Sequence, residues 1–346
     1  MERKLSYEKQ AAAINIPAVA GCIADVQKEN GEIPWHEGGK TDPWDHVESA
    51  MGLTIGGYTA RARLAYEWLA QNQLEDGSWH SAYMNGKPKD RTRESNLSAY
   101  IAVGVYHYFL VTGDRVFLTK MWETVSAAIE FALSLQAPGG EIYWAKSPDL
   151  KVDPMALLTG SSSIFMSLKC AIAIAGILGI ERPGWRKAAL KLKNAICSGY
   201  HRFNMTKSHY SMDWFYPVLS GAVTGDAAIQ RIDSYWKKFV KEGMGVLCVS
   251  DSPWITIAET SELVLALAAA GKTRIADIVF SWLNDRRFED GSYWCGFTYP
   301  DMVIWPEEKI SWTNAVVLMA ADALYGLTPA CRLFDHEYWA EMRIPV

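Results

Sequence analysis

Apolar residues recur every three to four positions along most of the chain, which is the period of a helix packed on one face. The strict alternation of apolar and polar residues that indicates a strand is nearly absent. The pattern therefore predicts an all-α fold. It predicts helices over residues 7–28, 43–56, 58–73, 95–112, 114–136, 156–179, 183–201, 213–223, 226–241, 255–270, 273–286 and 310–326.

The connections between these helices alternate in length. Short connections contain Gly, which suits a helix C-terminus, and Asp or Thr, which suit the next N-cap. They lie at residues 56–57, 112–114, 179–184, 224–226 and 271–273. Long loops follow the other helices. Because alternate connections of an up-and-down array lie at opposite ends, we expect all the long loops to gather at one end, where loops carry function.

Four of the long loops share a motif, in which a polar residue ends a helix and a glycine turn and an aromatic residue follow. The motif occupies residues 27–35, 73–79, 136–144 and 287–294. Recurrence at intervals of tens of residues is typical of a repeat architecture, in which neighbouring units bury each other's apolar faces. We therefore predict one domain over residues 1–346, an (α/α)6 toroid of six helical hairpins, with residues 327–346 as a C-terminal cap.

Composition narrows the classes of function. With 49% apolar and 21% charged residues and a net charge of −5, the chain has no charge excess that would suggest binding to nucleic acid or an anionic membrane. The apolar stretches are interrupted before bilayer length, so we expect no transmembrane segment. The polar start resembles no secretory signal, and the six cysteines are scattered, which together favour a cytoplasmic location.

Metal and nucleotide motifs are missing from the sequence. The seven histidines show no paired metal spacing, and no phosphate-binding glycine loop follows a strand pattern. We expect neither a metal nor another cofactor. The sequence leaves the oligomeric state open.

Tryptophan is abundant, with fifteen residues, and many of them fall in or beside the long loops. One tryptophan there is more often packing than ligand contact, but nine at one end of a ring suggest a binding surface. Indole faces stack on sugars and also stabilise carbocations. The predicted binding residues are Trp35, His36, Trp44, Trp79, Trp144, Trp214, Trp254, Trp294, Trp305 and Trp312.

Carboxylates at the starts of helices are the candidates for acid and base. Asp45 follows Asp42, which as the residue before Pro43 suits an N-cap, so structural and catalytic interpretations of Asp45 are balanced. Asp213 could likewise cap a helix, or its aromatic neighbours could raise its pKa. The remaining candidates could equally be solvated or capping residues. They are Glu259 and Glu262, three residues apart on one helix, and Glu307 and Glu308 before the last helix.

Short motifs in the chain resemble two families of helical toroids. The stretch Gln73–Trp79 resembles the glutamine–tryptophan repeats of squalene-cyclase and prenyltransferase-like toroids. The stretches 140–145 and 305–314 resemble six-hairpin glycosidases of the glucoamylase type. Both resemblances imply an (α/α)6 barrel, so the choice between them affects function and leaves the fold unchanged.

The resemblances imply different chemistry and leave three hypotheses. The first is an inverting glycoside hydrolase. The glucoamylase type implies Glu308 as base, with Glu307 as its rival and Asp45 or Asp213 as acid, and carboxyl groups about 6.5–9.5 Å apart. The second is a terpene cyclase or prenyltransferase-like enzyme acting on an isoprenoid, although the chain lacks the Asp-x-Asp-Asp motif of such cyclases. The third is a non-catalytic toroid that binds a small molecule.

Overall fold

In the computed structural model, which describes residues 14–342, the helices alternate along the chain between an outer and an inner ring. In chain order they are α1 (Ile16–Val26), α2 (Pro43–Ile55), α3 (Thr59–Asn72), α4 (Ser95–Ala99), α5 (Ile101–Thr112), α6 (Arg115–Leu133), α7 (Leu158–Leu178), α8 (Pro183–Ser198), α9 (Ser211–Leu219), α10 (Gly225–Phe239), α11 (Ile257–Ala269), α12 (Thr273–Ser281), α13 (Ser311–Tyr325) and α14 (His336–Glu341). Two 3₁₀ turns, Tyr200–Arg202 and Met205–Lys207, precede α9.

The predicted helices are found, with shifted ends. The first was predicted from residue 7, and its start lies outside the described residues. The helix predicted over 95–112 is divided at Tyr100 into α4 and α5. The helix predicted over 213–223 ends at Leu219, because Gly221 adopts a left-handed conformation with φ 73° that ends a helix.

The inner ring closes on itself. Its members are α2, α5, α7, α9, α11 and α13, and each packs against the next, with α13 returning to α2. The inner helices are buried on nearly all sides, whereas an outer helix such as α10 buries only a stripe that includes Ala228, Ile232 and Phe239. The structure is therefore a helical toroid.

Helix α7 has the length and apolar composition of a membrane-crossing helix, contrary to the expectation from the sequence that apolar stretches fall short of bilayer length. Most of its apolar segment is buried inside the protein, among the neighbouring helices. Its composition is that of a core helix enclosed on every side.

The seam between α2 and α13 is built from small residues. A Cβ atom added to Gly52 would lie 2.7 Å from the Cβ of Ala315, so the two backbones approach more closely there than two side chains would permit. One turn away, the Ser49 hydroxyl donates to the Ser311 hydroxyl at 3.3 Å. This contact joins the second helix of the chain to the last helix of the inner ring.

The glutamine of the sequence motif links neighbouring outer helices. The Gln73 side-chain amide donates to the carbonyl of Gly77 in its own turn and to the carbonyl of Thr124 in α6, both at 2.9 Å. Gln27 and Gln136 make the same pair of contacts, with α3 and α8 respectively. The motif therefore connects one hairpin to the next.

Three small antiparallel sheets, formed by the long loops, make the all-α prediction incomplete. The strands are β1 (Ala82–Met84), β2 (Lys87–Asp90), β3 (Arg93–Glu94), β4 (Tyr143–Lys146), β5 (Val152–Ala156), β6 (Val240–Lys241), β7 (Gly245–Leu247), β8 (Trp254–Thr256) and β9 (Gly296–Thr298). At two to five residues, these strands are too short for an alternating pattern to be recognised.

Backbone hydrogen bonds join the long loops into a closed belt. Each loop pairs with the next around the rim, and the last loop returns to the first. The pairs are Thr41 with Tyr83, Arg93 with Lys146, Ala156 with Asn204, Tyr210 with Val249, Trp254 with Thr298, and Trp35 with Ser311. The prediction that the long loops gather at one end is confirmed.

The described C-terminal residues pack at the opposite end of the ring. The hydroxyl groups of Tyr338 and Tyr106 share a hydrogen bond of 2.6 Å, and His336 Nε2 lies 2.7 Å from the Val218 carbonyl oxygen. Val218 lies in the last turn of inner helix α9, and Tyr106 lies at the middle of inner helix α5. Helix α14 thus covers the end that faces away from the loop belt.

Two helical glycines test how tightly the seam is packed. We expect Gly52→Ala to lower the free energy of unfolding by about 1–3 kcal/mol, because its Cβ would overlap α13. Gly176→Ala in α7 is the matched control, since its Cβ would meet nothing within 4 Å, and it should stabilise by up to about 1 kcal/mol. Urea unfolding of both variants measures the change in unfolding free energy. An unchanged unfolding free energy in Gly52→Ala would contradict the close packing of α2 against α13.

Candidate functional site

A cavity of about 270 Å³ opens at the end of the ring that carries the loop belt. It is surrounded by the first turns of inner helices and by the loops that lead into them. Its lining combines five carboxylic acids, one lysine and several apolar side chains. The lining residues are Lys40, Asp42, Trp44, Asp45, Glu48, Ser81, Glu94, Leu97, Met212, Glu262 and Trp312.

One side of the cavity is formed by Glu48 of α2 and the two groups that hold it. Glu48 Oε1 accepts hydrogen bonds from Trp44 Nε1 at 2.8 Å and from the Tyr100 hydroxyl at 3.2 Å. The rings of Trp44 and Tyr100 are stacked, with centroids 4.8 Å apart. Glu48 is 1% exposed, and its Oε2 atom has no hydrogen-bond partner among residues 14–342.

Glu262 of α11, which also lines the cavity, is held in a similar way. The Tyr216 hydroxyl donates to Glu262 Oε1 at 2.7 Å, while Oε2 has no hydrogen-bond partner within the described part of the chain. Burial raises the pKa of Tyr216 and of Tyr100 well above the usual range, so both remain hydroxyl donors. Each glutamate therefore has one oxygen fixed by a tyrosine and one oxygen left over.

Helices α2 and α11 carry their acids at equivalent positions. Asp45 and Glu48 are the third and sixth residues of α2, and Glu259 and Glu262 are the third and sixth residues of α11. Residues three apart lie on one helix face, so each helix presents two acids in successive turns. Helix α13 lies between these two helices in the ring.

The acids of the cavity hold protons more strongly than isolated acids do. Burial raises the pKa of Glu48 to about 8 and that of Glu94 to about 7. Burial, together with the charges of Asp42 and Glu48, raises the pKa of Asp45 well above its usual range. The pKa of Glu262 is raised likewise by burial and by Glu48. All four shifts therefore favour the protonated form of these carboxyl groups.

The rim above Asp45 is ordered by Asp42, the N-cap of α2, as the sequence predicts. Its Oδ1 atom accepts from the Asp45 amide at 3.0 Å, and its Oδ2 atom accepts from Trp35 Nε1 at 2.8 Å. Lys40 lies 3.9 Å above the Trp35 ring and 3.8 Å from Asp42. The Trp312 ring is 6.4 Å from that of Trp35, so an aromatic pair borders the opening.

The structure brings some of the predicted site residues together. Asp45 and Glu262 line the cavity, as do Trp44 and Trp312. Glu259 is 7% exposed and lies one turn from Glu262, outside the lining, with its Oε2 atom lacking a partner among residues 14–342.

Asp213 lies outside the cavity, where it supports the neighbouring inner helix. Its Oδ1 atom accepts from the amide and the hydroxyl of Thr159, at 3.1 and 2.6 Å, in the first turn of α7. Arg231 donates to the Asp213 carbonyl at 2.7 Å, and Pro217 lacks the amide hydrogen that would otherwise reach that oxygen. Trp214 packs against Phe239 in the core, away from the opening.

Glu307 and Glu308 are exposed on the last long loop and do not line the cavity. Trp305 beside them is 61% exposed. Trp254 donates from Nε1 to the Trp305 carbonyl at 2.8 Å, which fixes this loop to the preceding one. These residues border the outside of the belt.

The remaining predicted binding residues also lie outside the cavity lining. Trp79 is 1% exposed and donates to the Leu69 carbonyl at 2.9 Å, so this aromatic residue of the motif belongs to the core. Trp294 packs edge-on against Phe297, Trp144 lies on strand β4, and His36 contacts the carbonyl of Glu37.

The sequence analysis missed Glu48, Glu94, Tyr100 and Tyr216 as site residues. Two features of the sequence could have identified Glu48. It is an acid inside an apolar helix, and its spacing from Asp45 equals that of Glu262 from Glu259. The tyrosines carry no comparable signal, because their role depends on which helices become neighbours. No group of three possible metal ligands occurs among residues 14–342.

The raised pKa of Glu48 predicts a pH dependence of stability. Glu48 is protonated in the folded protein up to about pH 8, whereas in the unfolded chain it ionises near pH 4.5, so the stability it contributes falls as pH rises between these values. We expect Glu48→Gln to reduce the loss of unfolding free energy between about pH 5 and pH 8 by about 1–4 kcal/mol. Denaturant unfolding at several pH values measures this loss, and the exposed substitution Glu307→Gln is the control. If stability falls with pH in Glu48→Gln as steeply as in the wild-type protein, the raised pKa of Glu48 is contradicted.

A relative of known activity covers nearly the whole chain. The sequence is 48% identical over 315 residues to MMP endo-(1,4)-3-O-methyl-α-D-mannosidase from Mycolicibacterium hassiacum, a match that spans 91% of this chain and 87% of the relative. No family model matches the sequence.

Solved structures with the same fold include glycosidases. A wild-type glycosidase superimposes with a TM-score of 0.70 at 14% identity, over 92% of this chain and 99% of that one. A GH63 mannosylglycerate hydrolase from Thermus thermophilus, in complex with glucose, gives a TM-score of 0.68 at 11% identity, over 87% and 98% of the two chains. The terpene cyclase and prenyltransferase alternative gains no support from these comparisons.

The glycosidase neighbours share only the fold at this level of identity, whereas the mannosidase shares nearly half of its aligned residues. A match of that extent decides the family. The chain therefore belongs to the family of the M. hassiacum endo-mannosidase, and it is a glycoside hydrolase-like enzyme.

Proposed function

We propose that the chain is an inverting glycoside hydrolase that cleaves α-mannosides, with Asp45 as general acid and Glu262 as general base. The observation that carries this proposal is that both carboxyl groups line one cavity while belonging to helices that are not neighbours in the inner ring. Paired acids on opposite sides of the scissile bond are what glycoside hydrolysis requires.

The proposed substrate is an oligosaccharide of (1,4)-linked 3-O-methyl-α-D-mannose, after the relative's name. The cavity supplies contacts suited to such a sugar. Leu97, Met212 and Trp312 present apolar surface, which favours a methyl ether over a free hydroxyl. The carboxyl groups and Lys40 can bind the remaining hydroxyl groups of the sugar.

Asp45 is suited to the role of acid because its raised pKa lets it retain a proton. Its neighbour Asp42 contributes to that shift and is itself held by Trp35. In the proposed reaction Asp45 donates its proton to the glycosidic oxygen as the bond to the anomeric carbon breaks. Asp45 then remains as the carboxylate.

Glu262 is suited to the role of base once Glu48 holds a proton. Burial is the largest cause of the raised pKa of Glu262, and the negative charge of Glu48 is the second. Protonation of Glu48 removes that second cause. The hydrogen bond from Tyr216 then favours the Glu262 carboxylate. Glu262 accepts a proton from a water molecule as that water attacks the opposite face of the anomeric carbon.

The ring geometry favours inversion over retention. Packed neighbouring helices lie about 8–10 Å apart, so helices separated by one member of a six-membered ring are about 14–17 Å apart. Aspartate and glutamate side chains span only part of that distance. The gap then fits the about 6.5–9.5 Å of inverting enzymes better than the about 5 Å of retaining enzymes.

Substitution of the two acids tests their roles. We expect Asp45→Asn and Glu262→Gln each to lower kcat/KM on the methylated mannoside by roughly 10²–10⁴-fold, because each variant loses one proton transfer. Glu308→Gln should stay within about twofold of wild type, since Glu308 is exposed outside the cavity.

Folding of each variant is checked by its thermal unfolding midpoint. Full activity of Glu262→Gln combined with loss of activity in Glu308→Gln would contradict the assignment and support Glu308 as the base. Full activity of Asp45→Asn would exclude Asp45 as the acid.

The anomeric form of the first product tests the stereochemistry. Inversion at an α-linkage releases the β-anomer, which later mutarotates. We expect proton NMR spectra recorded in the first minutes of hydrolysis to show the β-anomeric signal of the new reducing end before the α-signal. Appearance of the α-anomer first would show retention and would require a covalent nucleophile instead of a base.

A further inference from the structure

A second cavity, of about 380 Å³, lies at the opposite end of the ring from the carboxylate cavity. Its walls come from α7, α8, the turn between α9 and α10, and α14. The residues that matter for its chemistry are Phe165, Lys169, Gly221, Thr224, His336 and Trp339. The proposed hydrolysis uses none of them.

Lys169 is a buried cation without an anionic partner in the described part of the chain. The residue is 3% exposed, and within residues 14–342 its ammonium group makes no hydrogen bond and no ion pair. Its Nζ atom lies 4.6 Å from the Trp339 ring centroid and 5.5 Å from that of Phe165. A Cβ on Gly221 would lie 3.1 Å from Nζ, so the absence of a side chain there lets the ammonium group approach the backbone.

The N-terminal end of α10 adds positive potential, and its first turn also carries the acid Asp226. The N-terminus of α10, a helix of fifteen residues, begins beside the cavity, and its N-cap Thr224 makes no capping hydrogen bond from its side chain. Burial lowers the pKa of Lys169 and of His336, and the charge of Lys193, which also lines the cavity, adds a smaller effect in the same direction. The acid in the lining is Glu337, which is exposed at the mouth.

Burying an ammonium group without a counter-charge is unfavourable, and burial lowers the pKa of Lys169 to about 7. An anion placed against Nζ would reverse that cost. The exposed amide groups at a helix N-terminus and a lysine are the usual donors to a phosphate oxygen.

We propose that this second cavity binds a phosphate group, free or carried by a small organic molecule, with Lys169 as the central donor. The amide groups at the start of α10 provide further donors, and the rings of Phe165 and Trp339 can pack against an attached organic part. Because α14 forms one wall, the bound phosphate would fasten this helix to α7 and α10.

Thermal unfolding at about pH 6.5 tests the proposal, with sodium phosphate or glycerol phosphate compared with sodium chloride at equal ionic strength. We expect each phosphate to raise the Tm of the wild-type protein saturably, by roughly 2–5 °C. Lys169→Met should lose this rise. Lys191→Met, an exposed lysine on α8, should keep it.

The two ligands distinguish the sources of the phosphate. Tighter binding of glycerol phosphate would assign the site to an organic phosphate, and equal binding would assign it to the free ion. Absence of a saturable rise in the wild-type protein, or an equal rise in Lys169→Met, would overturn the proposal.

If Lys169→Met fails to fold, phosphorus NMR of glycerol phosphate with the wild-type protein replaces the comparison. Line broadening that excess inorganic phosphate reverses would support the site. Unchanged lines at about tenfold excess of ligand over protein would refute it.

Discussion

The close packing of α13 against α2 is the contact on which the site depends. Gly52 and Ala315 allow the two backbones to approach, and the last long loop is tied to the first beside this seam by the hydrogen bond from Ser311 to Trp35. Since α13 lies between α2 and α11, the seam also determines how far Asp45 stands from Glu262. A looser closure would widen the carboxylate cavity and misplace both acids.

The same ring explains how so many acids can be buried in one place. Every inner helix starts at the loop belt, so the positive ends of several helix dipoles converge there and stabilise negative charge. Tyr100 and Tyr216 add hydrogen bonds to the glutamates. Burial and mutual repulsion act in the opposite direction and raise the pKa of Glu48 and of Glu262. The proposed hydrolysis needs one protonated and one ionised carboxyl group, so it depends on the balance of these opposing effects.

The fold was predictable from the sequence because helical periodicity and alternating loop lengths are local properties that survive tertiary packing. The short strands were not, because the loops become strands only when the belt brings them together. The site was partly predictable. Asp45 and Glu262 stood out as acids at helix starts, and both line the cavity.

The other acids and the aromatics show where local reasoning fails. Glu308 was favoured through a resemblance, yet it is exposed and does not line the carboxylate cavity. Trp79 was grouped with binding residues because it follows a glycine turn, whereas Gln73 holds that turn against the next outer helix and Trp79 is buried. Glu48 and its partner Tyr100 come from different hairpins, so their meeting is a product of ring closure.

A crystal structure of the Glu262→Gln variant with an intact methylated mannoside tests the central claim most directly. The account predicts the glycosidic oxygen within hydrogen-bond distance of the Asp45 carboxyl group and residue 262 on the opposite face of the sugar. An oligosaccharide bound instead along the outer loop beside Trp305 and Glu308, with the carboxylate cavity empty, would contradict it.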